Sequence, residues 1–154
     1  VSRVTFDFSL HPSLVTLERQ RHDIRALRGA ALRGLGKGLA FVTFEPTRDF
    51  IRLETFVPDW LFQMRGVVRD IDAGKHETFT VDPDYFNNSL RYTYRPQDKS
   101  LELYEVNGGD FKIRTPYKEF RRSFLAFLPA ALKEVMLFYP ELEGNTEFLA
   151  MCHE

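Results

Sequence analysis

Apolar and polar residues alternate with a period of two at the start of the chain. Val4, Phe6 and Phe8 lie between Arg3, Thr5, Asp7 and Ser9. That beat marks a strand with one buried face, and His11-Pro12-Ser13 ends it. The same beat returns between Asn87 and Arg114. There Leu90, Tyr92 and Tyr94, then Leu101 and Leu103, then Phe111 and Ile113 alternate with Arg91, Thr93, Arg95, Glu102, Tyr104, Lys112 and Arg114. Pro96-Gln97-Asp98-Lys99 and Asn107-Gly108-Gly109-Asp110 supply the residues that hairpin turns need. Three strands of a meander are predicted, with the apolar side against the core and a mixed-charge side facing water. Leu39 to Glu45, Phe50 to Phe56 and Glu77 to Val81 read as further strands.

Two segments change to a helical period. From Pro58, Trp60, Met64, Val67, Val68 and Ile71 fall on one face, which predicts a helix over about 58 to 72, stopped by Ala73-Gly74. Tyr117, Phe120, Phe124, Phe127, Ala131, Val135 and Phe138 recur at spacings of three and four and predict a long last helix. Thr115 suits its cap and Pro116 its first position, a kink or break is expected at Pro129, and Pro140 stops it. Between Leu14 and Leu35 the pattern is ambiguous. Leu17, Ile24, Leu27 and Ala31 suit a continuous helix, but Arg21 and Arg28 share its apolar arc. The preferred reading ends the helix near Gly29 and runs a strand from Ala30 to Leu35, turning at Gly36-Lys37-Gly38. The fold class is therefore α+β: an antiparallel sheet with a C-terminal meander, packed against a Trp-bearing helix and a long kinked C-terminal helix. A single domain over 1–154 is expected, with an irregular tail from about 141.

Composition fits one packed core. The chain has 154 residues, 44% hydrophobic and 28% charged, with fifteen Phe. No apolar run approaches the roughly 20 residues of a bilayer span, so no membrane insertion is expected. Cys152 is the only cysteine, and Val1-Ser2-Arg3-Val4-Thr5-Phe6-Asp7 lacks the pattern of a secretion signal. A cytoplasmic protein is expected. Net charge is -1, but residues 1–53 hold nine Lys/Arg against five Asp/Glu, and residues 54–154 hold twelve against seventeen. Acid is densest at Asp70, Asp72, Glu77, Asp82 and Asp84, which face only Lys75.

Motifs that carry chemistry are scarce. Gly34, Gly36 and Gly38 around Lys37 lack the spacing of a phosphate loop. His11, His22, His76 and His153 lack metal-ligand spacing, and the acidic segment lacks the alternation of a calcium loop. No cofactor and no catalytic residue is predicted. Arg19, Arg21, Arg25, Arg28 and Arg33 are the one basic cluster, but a net acidic chain argues against a nucleic-acid partner. Most aromatics fall on predicted buried faces; Tyr85, Phe86 and Tyr104 do not, and exposed aromatics beside carboxylates suit a protein partner. Asp70, Asp72, Glu77, Asp82, Asp84 and Tyr85 are the candidate partner-binding residues. A rival reading places a small-molecule pocket between the sheet and the Trp60 helix, with Arg52 and Glu54 as its polar groups.

The order of elements, with a hairpin reaching Phe44-Glu45-Pro46, a strand Ile51-Arg52-Leu53-Glu54 and a helix entered by Val57-Pro58-Asp59-Trp60, resembles small immunity proteins of bacterial polymorphic toxin systems. The resemblance implies a cytoplasmic, cofactor-free, non-enzymatic inhibitor that neutralises a cognate toxin domain by direct binding. No catalytic residues are implied.

Overall fold

A computed structural model describes residues 2–81, 90–105 and 112–154. The architecture is α+β, with two antiparallel sheets rather than one. The first sheet holds β1 (Arg3–Leu10), β2 (Lys37–Glu45) and β3 (Asp49–Phe56) in that order. The second is the expected three-stranded meander, β5 (Leu90–Arg95), β6 (Ser100–Glu105) and β7 (Lys112–Pro116), with β4 (Thr78–Val81) added at the β5 edge.

Two helices join the sheets into one core. The Trp-bearing α3 (Val57–Asp72) packs on β2, β3 and β4, and α4 (Tyr117–Phe138) on β1, β6 and β7. Phe120 of α4 shows how. Its ring lies 5.1 Å from Phe6 of the first sheet and 6.3 Å from Tyr92 of the second. Phe124 adds a second edge-on contact to Phe6 at 5.5 Å. Each aromatic buried this fully contributes roughly 1.5–3 kcal/mol, which explains why α4 runs unbroken through Pro129. Phe120, Phe124, Leu128, Ala131, Leu132 and Val135 are buried on both sides of that residue. Their packing offsets the one backbone hydrogen bond that proline removes.

Four expectations need correction. Residues 29–35 neither extend the first helix nor form a strand: α1 (Pro12–Arg21) stops early, a 3-10 turn follows at Ile24–Ala26, and α2 (Gly29–Arg33) is a short helix. The Ala-Ala-Leu-Arg stretch is helix-favouring, and Ile24, Leu32 and Leu35 reach the core without sheet pairing. Thr115 does not cap α4. It is a buried residue of β7 paired with Leu101, and the amide of Tyr117 is served by the Lys99 carbonyl at 3.0 Å. The tail is not irregular either: a 3-10 turn at Pro140–Gly144 leads into α5 (Thr146–Cys152), and Tyr139, Leu142 and Phe148 are buried. Finally, Gly36-Lys37-Gly38 is no hairpin turn but a close joint. Gly36 has φ +76° with its carbonyl on the Val57 amide, and a Cβ on it would lie 2.8 Å from Pro58 Cδ. A Cβ on Gly38 would lie 2.2 Å from the Ser9 carbonyl oxygen. The glycines let β2 meet β1 and the entry of α3.

Candidate functional site

The acidic residues singled out in the sequence are not equivalent in space. Asp72 ends α3 and is fully engaged: the Tyr117 hydroxyl donates to Oδ1 at 2.9 Å and Arg121 Nε to Oδ2 at 2.9 Å. It ties the end of α3 to the first turn of α4. Burial, the Asp72 hydrogen bond and its charge together raise the Tyr117 phenol far above its ordinary value. Asp70, two residues earlier, has a looser contact with Lys75 Nζ at 3.4 Å. Glu77 is exposed just before β4. Asp82, Asp84 and Tyr85 lie outside the described residues. The structure thus brings Asp70 and Asp72 to one helix end and gives Asp72 a structural task.

Two arginines of the amino-terminal third, Arg19 and Arg28, are similarly occupied. Arg19 meets Glu141 through Nε and Nη2 at 2.6–3.1 Å, and Arg28 Nη1 donates to the carbonyls of Arg25 and Leu27. Arg52 and Glu54 are exposed on the side of the first sheet that faces away from Trp60, whereas Ile51 and Leu53 face inward. They do not line a pocket under the Trp60 helix. Trp60 itself is buried in the core beside Phe6, 6.4 Å between rings, and its Nε1 has no hydrogen-bond partner. Among the described residues no group of three His, Cys, Asp or Glu is placed to hold a metal ion. Cys152 is half-buried, and burial raises its thiol, opposite to the shift of an activated thiolate. No helix among the described residues is long and apolar enough to cross a membrane.

The outer face of the meander carries a further correction. Glu102 was expected on a wet face, yet it is only 7% exposed. Arg95 Nη1, Lys112 Nζ and Arg114 Nη2 surround it at 3.3, 3.4 and 3.3 Å. Burial would raise its carboxyl, but hydrogen bonds from Arg114 and Lys112 and the fields of Lys112 and Arg95 outweigh that and hold it below the usual range. A group depressed in the folded state stabilises above its unfolded value of 4.5 and loses that contribution as pH falls through the folded value. Glu102→Gln should cost about 1–2 kcal/mol at neutral pH, less than a fully buried pair because the three cations are half-exposed and regain water. Below pH 4.5 the gap between variant and parent should close. Urea unfolding followed by Trp60 fluorescence at several pH values measures it; a gap that stays constant into acid would contradict this assignment.

The feature with the character of an interface is the outer side of the first sheet. Register places Thr5, Thr43 and Phe50 in one row, Asp7, Phe41 and Arg52 in the next, and Ser9, Leu39 and Glu54 in the third. Their inward neighbours Val4, Phe6, Phe8, Ala40, Val42, Phe44, Ile51 and Leu53 form the core. Phe41 and Phe50 stack at 6.0 Å and 24° across the strands, and Phe50 is 53% exposed. At the far end Leu10, Leu14, Leu39, Arg52 and Glu54 surround a shallow depression of about 290 Å³. Aromatic and leucine side chains flanked by Arg and carboxylates, on a rigid sheet, have the composition of a protein-binding patch. Neither phenylalanine is among the exposed aromatics expected from the sequence. The available signal was parity: Phe50 shares its face with Arg52 and Glu54.

Comparison of the chain with protein-family models, curated proteins and solved structures gives no match.

Proposed function

We propose that this protein acts by binding rather than by chemistry, occluding a partner protein in the manner of an immunity protein that neutralises a toxin domain in the cytoplasm. The observation that carries the reading is the stacked Phe41–Phe50 pair, with Phe50 exposed and Phe41 half-buried beside Arg52 on the solvent side of the first sheet. An exposed aromatic ring such as Phe50 gains little from folding but much from a partner that removes it from water. Charges of both signs, Asp7, Arg52 and Glu54, flank it and would set orientation against the partner. The acidic residues Asp70 and Glu77 remain available to a basic partner at a separate place.

Co-expression with the product of an adjacent toxin-like gene should restore growth, and the two should co-purify. Phe50→Ala should change stability by less than about 1 kcal/mol while weakening that complex by tenfold or more, about 1.4 kcal/mol. Rescue and affinity unaltered by Phe50→Ala and Phe41→Ala would remove this face from the interface. Failure of both rescue and co-purification would end the inhibitor reading.

A further inference from the structure

α3 and α5, with the end of α2, enclose a cleft of about 480 Å³ that the outer sheet face does not touch. Arg65 and Arg69 enter it from one side of α3, one turn apart. Gly66 lies between them, and a Cβ there would meet nothing within 4 Å. The cleft therefore has a bare floor beside two guanidinium groups. Arg33 enters from α2, and Phe62 and Met151 supply apolar wall.

The charges in this cleft are poorly balanced. Arg65 is only 7% exposed, with its guanidinium 4.9 Å above the ring of Phe62, which Phe148 braces edge-on at 5.8 Å. A buried guanidinium needs a close counter-charge. Among the described residues its one ion pair is with Glu154 Oε2 at 3.5 Å, from a side chain 63% exposed, a loose contact that water and salt weaken. Burial and the like charge of Arg69 both pull Arg65 down. Arg33 and Arg69 form no ion pair among the described residues, although Arg33 lies in the field of Asp59. Glu147, the other carboxylate of the lining, is committed to the Gly29 amide at 2.8 Å. Three guanidiniums thus line a cleft that holds two carboxylates, the exposed Glu154 and a Glu147 held by the Gly29 amide, leaving an excess of positive charge.

We infer that this cleft binds a small phosphomonoester, its phosphoryl group held by Arg65, Arg69 and Arg33 after displacing the Glu154 carboxylate, and its organic part lying along Phe62 and Met151. A phosphoryl group suits the geometry better than a carboxylate. Its oxygens point in several directions and can accept from guanidinium forks on two helices, whereas one planar carboxylate is filled by a single fork. The volume is within the range of small-molecule sites and exceeds what phosphate alone would fill. This inference does not rest on the partner-binding reading, and the Phe50 variants leave it untouched.

Calorimetric titration of the full chain at constant ionic strength with phenyl phosphate, inorganic phosphate and benzoate tests it. Phenyl phosphate should bind saturably with Kd at or below about 1 mM, inorganic phosphate about tenfold more weakly for want of the apolar contact, and benzoate not measurably. A Cβ on Gly66 would meet nothing within 4 Å, so Gly66→Leu, which projects its side chain into the cleft, should keep the melting point and abolish binding. Glu154→Gln removes the competing carboxylate and should tighten phenyl phosphate severalfold, while Arg69→Gln should weaken it about tenfold or more. No saturable heat with phenyl phosphate up to about 10 mM, equal binding of benzoate, or affinity unchanged in a folded Gly66→Leu variant would each overturn the inference.

Discussion

Asn145→Ala is expected to destabilise the protein by about 3–5 kcal/mol, because one buried side chain completes three backbone groups at once. Asn145 is 0% exposed. Its Nδ2 donates to the carbonyls of Ile24 at 2.8 Å and Leu27 at 2.9 Å, and its Oδ1 accepts from the Phe148 amide at 2.9 Å, capping α5. Alanine would leave the Phe148 amide without its partner and take one of two donors from each of the Ile24 and Leu27 carbonyls, which keep the Leu27 amide and Arg28 Nη1, in a region closed by Ile24, Leu142 and Phe148. The orphaned amide costs about 1–3 kcal/mol if water cannot enter, and each hydrogen bond lost by a carbonyl about 0.5–1.5 kcal/mol more. Asn145→Asp separates the contributions, since it keeps the acceptor for Phe148 but turns a carboxylate toward two carbonyls; it should stay at least about 2 kcal/mol below the parent. Urea unfolding followed by the single Trp60 measures both variants. A loss under about 1 kcal/mol for alanine would show that water replaces the side chain.

Gly38→Ala is expected to be as severe for a steric reason. The added Cβ would lie 2.2 Å from the Ser9 carbonyl oxygen and 3.0 Å from Leu10 Cδ2. Backbone must move, and it belongs to the β1–β2 pair, Leu10 opposite Gly38, whose inner side is core. A cost of about 4 kcal/mol or more follows, beyond ordinary overpacking, because no flexible side chain can give way. Gly36→Ala is the informative comparison. Its nearest obstacle is the Pro58 ring at 2.8 Å and its φ is +76°, so strain and a local clash combine, yet the strand pair is spared. Its loss should be about half as large. Equal unfolding midpoints for parent and Gly38→Ala would refute the close approach of β1 and β2.

Long elements were legible in the sequence because period is a statistic that needs length. β1 and the meander announce themselves by alternation, and α3 and α4 by several turns of apolar stripe. α2 and α5, five and seven residues long, are too short to show a helical period, and both are fixed by tertiary bonds, Gly29 to Glu147 and Asn145 to the 24–27 backbone. Thr115 had the chemistry of a cap but is used as a strand residue, because the Lys99 carbonyl already serves Tyr117. Parity located the buried face of β6 correctly and misjudged Glu102, since alternation assumes that the other face meets water. The cations that cover Glu102 come from β5 and β7, and a single strand cannot reveal its neighbours. Arg65 was invisible for a related reason: it lies on a helix whose interior face is otherwise apolar, and its isolation from strong counter-charges exists only in three dimensions.

Glu102 has a consequence for how the meander chooses its pairing. The second sheet is rich in interchangeable aromatic and aliphatic residues, so a strand displaced by one position would still find apolar company. Such a slip turns every side chain of β6 to the opposite face. It would drive Glu102 toward Phe120 and Tyr92 while leaving Arg95, Lys112 and Arg114 without the carboxylate that balances them. A displaced sheet therefore combines a stranded anion in hydrocarbon with three mutually repelling cations outside. The buried carboxylate excludes misregistered topologies more strongly than it stabilises the native one.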